Sequence, residues 1–207
     1  MPSIQHENEL HALGYVLVAG VDEAGRGAWA GPVVAGAVIL AKSRKVLATL
    51  QSAKVDDSKR LSPAARAACR LLIDQLALAV GSGVASSVEI DALGIVPATR
   101  LAMTRAIDSL VPRPNALIID AVKLEACAYH QRVFNHADSI SLSVAAASIV
   151  AKTTRDHLMT DLDDTLSGYD FARHKGYGTA LHHAMLRAHG VSVQHRTSFA
   201  PVRQLLA

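Results

Sequence analysis

Apolar positions along the chain follow two rhythms. Tyr15–Val21 (YVLVAGV) and Val33–Leu40 (VVAGAVIL) are β-branched runs without polar alternation, the pattern of strands buried on both faces. Val84–Val88 and Ala116–Asp120 (ALIID) predict two further strands. Between them the period lengthens. Ser62-Pro63 offers an N-cap and a first-turn proline ahead of Ala65, Ala68, Cys69, Leu72, Ile73 and Leu76. Pro97 is placed to open a second helix carrying Leu101, Ala102 and Ile107. Ser141 to about Asp164 predicts a long helix, alanine-rich in its first half and charged in its second, and Thr179–Ala188 predicts another. Two strands in quick succession, then strands alternating with helices, indicate an α/β sheet of mixed direction.

Composition narrows the class. The chain has 207 residues, half of them apolar and 19% charged, enough for one domain with a sizeable core and unlike a disordered chain. The longest apolar-plus-glycine stretch, Val33 to Ala41, is far below the roughly 18–20 residues that span a bilayer, so no membrane partner is expected. The opening MPSIQHENEL has no basic segment leading into an apolar one, so no secretory leader is expected. Cys69 and Cys127 lack metal-type spacing and read as reduced thiols of a cytoplasmic protein. The net charge of +3 is unevenly spread. No acidic residue follows Asp170, whereas the last 37 residues hold Arg173, Lys175, Arg187, Arg196, Arg203 and five of the ten histidines. Such an end would attract a polyanion such as nucleic acid, although a purely solubilising face has the same composition.

Chemistry concentrates in Gly20–Gly31, GVDEAGRGAWAG. Asp22 and Glu23 lie side by side at the end of an apolar strand, where two carboxylates repel each other unless a cation intervenes. Neighbours in a regular strand face opposite ways, so both serve one site only if the strand ends or bulges there, a freedom that Gly25 and Gly27 supply. A solvated turn would equally accommodate a bare Asp-Glu pair. The stretch Gly25-x-Gly27-x-x-Ala30 formally fits a dinucleotide fingerprint. Pro32 and the β-branched run after it deny it the following helix, and Lys42, Arg44 and Lys45 stand where the ribose-binding acid belongs. Asp120 ends ALIID, and Asp138 precedes the alanine-rich helix, where a capping role would also suit it. Four such carboxylates would balance two Mg²⁺ or Mn²⁺ ions about 3.5–4 Å apart, an arrangement suited to phosphodiester hydrolysis. Spacing alone does not bring the four together.

GVDEAGRG followed by GPVVAGAVIL closely resembles the opening of the type 2 ribonucleases H, the ribonuclease HII family. The resemblance continues through DDSKRLS (Asp56–Ser62), ALIID, ADSISLSVAAASIVAKTTRD (Ala137–Asp156) and HKGYGT (His174–Thr179), in order from Gly20 to about Val202. It implies a ribonuclease H-like fold, a mixed five-stranded sheet flanked by helices, with a catalytic core over 1–168 and a small basic C-terminal helical extension over 169–207. It implies that Asp22, Glu23, Asp120 and Asp138 are the catalytic, metal-binding carboxylates. It implies an endonuclease that cuts the RNA strand of RNA–DNA hybrids and nicks duplex DNA 5′ of embedded ribonucleotides, leaving a 5′-phosphate and a 3′-hydroxyl. The family's GRG maps onto Gly25, Arg26 and Gly27, whose backbone would read the 2′-hydroxyl that separates RNA from DNA. Tyr177 would pack on the neighbouring deoxyribose. Ser58, Lys59 and Arg60 would meet phosphates, with Lys152 and Arg155 as further candidates, and Arg173, His174 and Lys175 would lay the basic tail along the duplex. Nothing in the pattern demands more than a monomer.

The chain departs from the family at Ala28-Trp29, where proline and a smaller aliphatic residue are common, and at His136-Ala137, where Lys-Gly is common. Trp29 is expected to pack in the core or shield the site. Asp161, Asp163 and Asp164 resemble a calcium loop only in part, since Leu166 takes the glycine position, and read as a solvated helix end. His182 and His183 are expected to be exposed on a basic helix.

Overall fold

The computed structural model describes residues 2–125 and 127–206. After a short helix, α1 (Gln5–Ala12), come β1 (Val18–Ala24), β2 (Val33–Leu40), α2 (Arg44–Ser52), α3 (Pro63–Leu76), β3 (Ala77–Ala85), α4 (Ser87–Leu93) and α5 (Ile95–Asp108). The second half holds β4 (Ala116–Asp120), β5 (His130–Phe134), α6 (Leu142–Thr165), α7 (Phe171–His174), α8 (Ala180–His189) and α9 (Ala200–Arg203). The five strands form one sheet in the order β3-β2-β1-β4-β5. β2 runs antiparallel to β1 and β3, whereas β4 is parallel to both β1 and β5, so the sheet is mixed as its element pattern predicts.

β1 and β2 lack polar alternation because both sheet faces are covered. On one face Ala19, Val21, Ala35, Ala37 and Ile39 pack with Ala98, Ala102, Met103 and Ala106 of α5. On the other, Val38 packs with Cys69 and Ile73 of α3 and with Ala145, Ala146 and Ile149 of α6. The small residues of α6 let it lie almost on the sheet. A Cβ added at Gly36 would sit 2.3 Å from the Ala147 carbonyl oxygen, a backbone atom that cannot swing aside. Gly36→Ala should therefore destabilise the protein by about 3 kcal/mol, the upper range for overpacking a rigid core. Urea unfolding would measure it, and a change below about 0.5 kcal/mol, usual for unconstrained sites, would mean that α6 can shift.

The N-terminus of α6 is completed by the beginning of the chain. Ser141 caps it by accepting from the Val144 N–H. Buried Glu7, on α1, accepts from the Ser141 and Ser143 hydroxyls and the Ser143 N–H, placing a carboxylate where helix dipole and orphan amides favour one. The tail is tied back by packing of Ala30 with Met159, Tyr169 and Phe171, and by a bridge between Ala30 and His195.

Several boundaries differ from the sequence-based expectations. The strand expected at Val84–Val88 is Ala77–Ala85, and Val88 lies exposed on α4. Ser86 ends it: its hydroxyl accepts the Glu89 N–H while the Glu89 carboxylate accepts the Ser86 N–H, a capping box that starts a helix. Pro97 is the third residue of its helix rather than its opener. The first strand lies three residues later than YVLVAGV suggests, so Asp22 and Glu23 belong to it.

Candidate active site

Asp22 and Glu23 reach one cleft where β1 runs out, the first of the two ways expected for adjacent residues, with no bulge in its pairing to β2. β1 stays in register with β2 through Asp22↔Gly36, Glu23↔Ala35 and Ala24↔Val34. On its other side, pairing with β4 stops at Val21↔Ile119, so the tip of β1 projects beyond its parallel neighbour. Asp120, the last residue of β4, stands at the same open end. Its Oδ1 accepts the Ala137 N–H at 2.8 Å, which fixes the 3₁₀ turn Ala137–Ser139 that carries Asp138. Three separate segments thus deliver four carboxylates to the C-terminal edge of the sheet.

The charges of this group oppose one another. Burial pushes the Asp22 carboxyl well above the usual carboxylate range, and Glu23, Asp120 and Asp138 push it further. Glu23 is raised by burial first, with Arg26 opposing through an ion pair of 3.2 Å. Asp138 is raised by burial, then by Asp57, while Lys59 opposes from 3.7 Å. Burial disfavours the Lys59 charge, but Asp57, Asp138, Asp22 and Asp120 outweigh it and raise the ammonium. Among the described residues no three His, Cys, Asp or Glu side chains form a closed metal cage. Two buried oxygens of the four carboxylates, Glu23 Oε2 and Asp138 Oδ2, have no hydrogen-bond partner among the described residues. Anionic oxygens without donors suit a hard divalent cation that keeps part of its water shell.

The cleft, about 560 Å³, is lined by Asp22, Glu23 and Asp120, by Gly25, Arg26 and Gly27, and by Lys59, Arg66, Lys152 and Tyr177. Ser58, by contrast, is buried beneath this rim, its N–H donating to Ser148 Oγ, so of the Ser58–Lys59 pair it is Lys59 that faces the opening. Arg60 pairs with Asp56 on the surface. Arg66 sits on α3 with nothing in its sequence surroundings to mark it, and it pairs with Asp156 at 3.1 Å.

Arg155 is not available to phosphates. It is fully buried and donates to the carbonyls of Pro32, Lys175 and Ala30. Arg196 is likewise buried, donating to the carbonyls of Arg26 and Gly31. Burial, and then the neighbouring Arg155 charge, push Arg196 down to about 9. Two guanidiniums that composition assigns to a basic surface thus hold the main chain of the GRG segment and its continuation. His174 and Lys175 also turn inward: His174 is buried, and Lys175 Nζ donates to the Asp156 carbonyl and to Thr160 Oγ1. Arg173 stays exposed. His182 is fully buried rather than exposed, facing Trp29 at 5.6 Å between ring centres. Asp163 accepts the Phe171 N–H and so joins the end of α6 to α7.

A family model described as Ribonuclease HII matches residues 19–202. The chain belongs to the ribonuclease HII family. Curated relatives named Ribonuclease HII include those of Geobacillus thermodenitrificans, 48% identical over 98% of this chain and 76% of that one, and Chloroflexus aggregans, 48% identical over 99% and 96%. Among solved structures, ribonuclease H2 from Pyrococcus horikoshii OT3 superposes with a TM-score of 0.75 at 23% identity, covering 92% of this chain and 97% of that one. Bst-RNase HIII in complex with Mn²⁺ superposes at 0.71 with 22% identity, covering 95% and 71%. These likenesses are at the level of fold. Family membership makes the chain a ribonuclease H, an endonuclease that hydrolyses phosphodiester bonds.

Proposed function

We propose that the chain cuts the RNA strand of RNA–DNA hybrids and incises duplex DNA on the 5′ side of single embedded ribonucleotides, leaving a 5′-phosphate and a 3′-hydroxyl. The observation that carries this reading is the convergence of Asp22, Glu23 and Asp120 on one open cleft, with Asp138 near enough to raise the Asp22 carboxyl and, among the described residues, unpartnered buried oxygens on Glu23 and Asp138. These four would hold two Mg²⁺ or Mn²⁺ ions. When bound, the ions supply an activated water and stabilise the departing 3′-oxygen. The solved Mn²⁺ complex of Bst-RNase HIII, which shares the fold, agrees with that choice of metal.

The chain's own groups bind and orient the strand. Lys59 is well placed to meet backbone phosphates at the rim, with Ser58 supporting its loop and Lys152 and Arg66 on the same wall. Gly25, Arg26 and Gly27 present main chain to the ribose, where absence of Cβ atoms lets it approach a 2′-hydroxyl. Tyr177 offers a ring to the adjoining deoxyribose, so the two features together select an RNA–DNA junction. Residues 169–207 act as an extension of the 1–168 core, since α7 packs on α6 and the tail bonds the GRG segment. We also assign a cytoplasmic location, which the free thiols Cys69 and Cys127 favour, and a monomeric state.

The test uses a DNA duplex with one ribonucleotide, 5′-labelled, with and without Mg²⁺. A single Mg²⁺-dependent nick 5′ of the ribonucleotide is expected. Cleavage of a long hybrid but not of this duplex would overturn the junction reading while leaving the carboxylate site standing.

A further inference from the structure

Tyr177 lies between Gly176 and Gly178, so its own backbone preferences do little to hold its ring. Its N–H donates to the His174 carbonyl at 3.0 Å and its carbonyl accepts the Thr179 N–H at 2.8 Å, and a buried imidazole cluster behind it adds the side-chain restraint. His174, His182 and His195, from α7, α8 and the loop before α9, pack against Tyr169 and Phe171. Their tautomers follow from their partners. His174 Nδ1 accepts the Gly176 N–H, so its Nε2–H donates to the Tyr169 carbonyl. His195 Nδ1 accepts the Ser192 N–H, with Ser192 Oγ 2.8 Å away, so its Nε2 carries a proton. That proton points at His182 Nε2, 3.0 Å away. His182 Nε2 must then accept, which leaves its Nδ1–H to donate to the Tyr177 carbonyl at 3.1 Å. Each imidazole is neutral in this arrangement, and burial pushes both His182 and His195 down to about 4, which keeps it intact at neutral pH.

We propose that His182 is a positioning residue for Tyr177: the chain Ser192–His195–His182 fixes the Tyr177 main chain and so aims its ring at the sugar beside the ribonucleotide. This rests on the reading of Tyr177 as the junction-sensing side chain. His182 touches no substrate. It acts through one donated hydrogen bond, with Trp29 near its ring, while buried Arg155 and the cleft-lining Lys152 lie 5.2 and 5.5 Å from the centre of the Tyr177 ring. A misaimed ring would impair the junction substrate and spare a uniform hybrid, which presents no such junction.

The experiment compares kcat/KM on the single-ribonucleotide duplex and on a long RNA–DNA hybrid, both in Mg²⁺, for His182→Leu, His182→Asn, Tyr177→Ala and the Tyr177→Ala/His182→Leu pair. Asn keeps a donor near the Nδ1 position, whereas Leu keeps only bulk. His182→Leu is expected to lower the duplex-to-hybrid ratio on the order of 10–100-fold, chiefly through kcat, as misplacement by about an ångström does. His182→Asn should restore most of it, and His182→Leu should lower the ratio no further once Tyr177 is alanine. If both substrates fall together in His182→Leu and Asn does no better, the residue is packing only and the proposal fails. If Tyr177→Ala lowers the ratio but His182→Leu does not, the relay fails alone. If Tyr177→Ala leaves the ratio unchanged, the junction role of Tyr177 fails and takes this proposal with it. Should His182→Leu not fold, His195→Leu against His195→Gln makes the same comparison one link away, since Gln keeps a donor near the Nε2 position.

Discussion

Asp22→Asn should abolish turnover while making the metal-free protein more stable. In the proposed site the Asp22 charge helps hold the ions that stabilise the transition state by several kcal/mol, so its loss should lower kcat on the order of 10³-fold or more. The stability effect has the opposite sign because the carboxylate is buried beside Glu23, Asp120 and Asp138, which hold its folded pKa well above the unfolded value of 3.8. Such a group penalises the fold fully above its raised pKa, and the penalty fades as pH falls from there towards 3.8. Asn removes the charge, and its side-chain oxygen can still accept the Glu23 N–H that Asp22 Oδ1 accepts at 2.7 Å. In EDTA at pH 8 the variant should melt above the wild type, and the gap should narrow on acidification or on adding Mg²⁺ to the wild type. Anisotropy with a labelled hybrid should show binding retained. Near-normal turnover, or a melting temperature lowered in EDTA, would remove Asp22 from the site.

Gly25→Ala is the second large effect, and it acts through a residue 130 positions away. Gly25 has φ of +94°, and a Cβ there would sit 2.0 Å from Arg155 Nε. A free arginine would swing aside. Arg155 cannot, because it is buried and holds three carbonyls from two segments. The GRG loop must therefore move, at a stability cost of about 1–3 kcal/mol from overpacking and left-handed strain. Displacing the loop by about an ångström should lower kcat/KM on the single-ribonucleotide duplex on the order of 10²-fold. Mn²⁺ binding, followed calorimetrically, should change little, since Gly25 holds no carboxylate. Unchanged cleavage would show that the loop yields easily and does not read the sugar in this conformation.

Together these effects show which parts of the protein were legible in the chain. Strands β2 and β4 and the long helix α6 follow directly from local signals, because continuous apolar runs and an alanine-rich stretch have few other ways to be buried. The Asp-Glu pair and the GRG segment stand out because acids and glycines interrupt an apolar strand. β5 has no such local signal, since HQRVF is a half-exposed edge strand in which polar and apolar positions do not alternate cleanly. α1 likewise has no local signal, because its anchoring, Glu7 on the N-terminus of α6, joins residues more than 130 positions apart.

By itself the sequence determined the fold class, the family and the residue types able to hold metal, because periodicity and contiguous motifs are local properties of a chain. Only the tertiary structure decided that Asp22 and Glu23 share a cleft from within a regular strand, because that depends on where the neighbouring strand β4 stops. It also decided the fate of Arg155 on α6 and of the basic, histidine-rich tail. Composition counts Arg155, Arg196, His174 and His182 as surface charge or polarity, yet all four are buried against main-chain carbonyls or other imidazoles around the GRG and Tyr177 segments. Charge along a sequence gives the sign of a side chain, whereas its burial and partners are set by long-range packing, which no local pattern encodes.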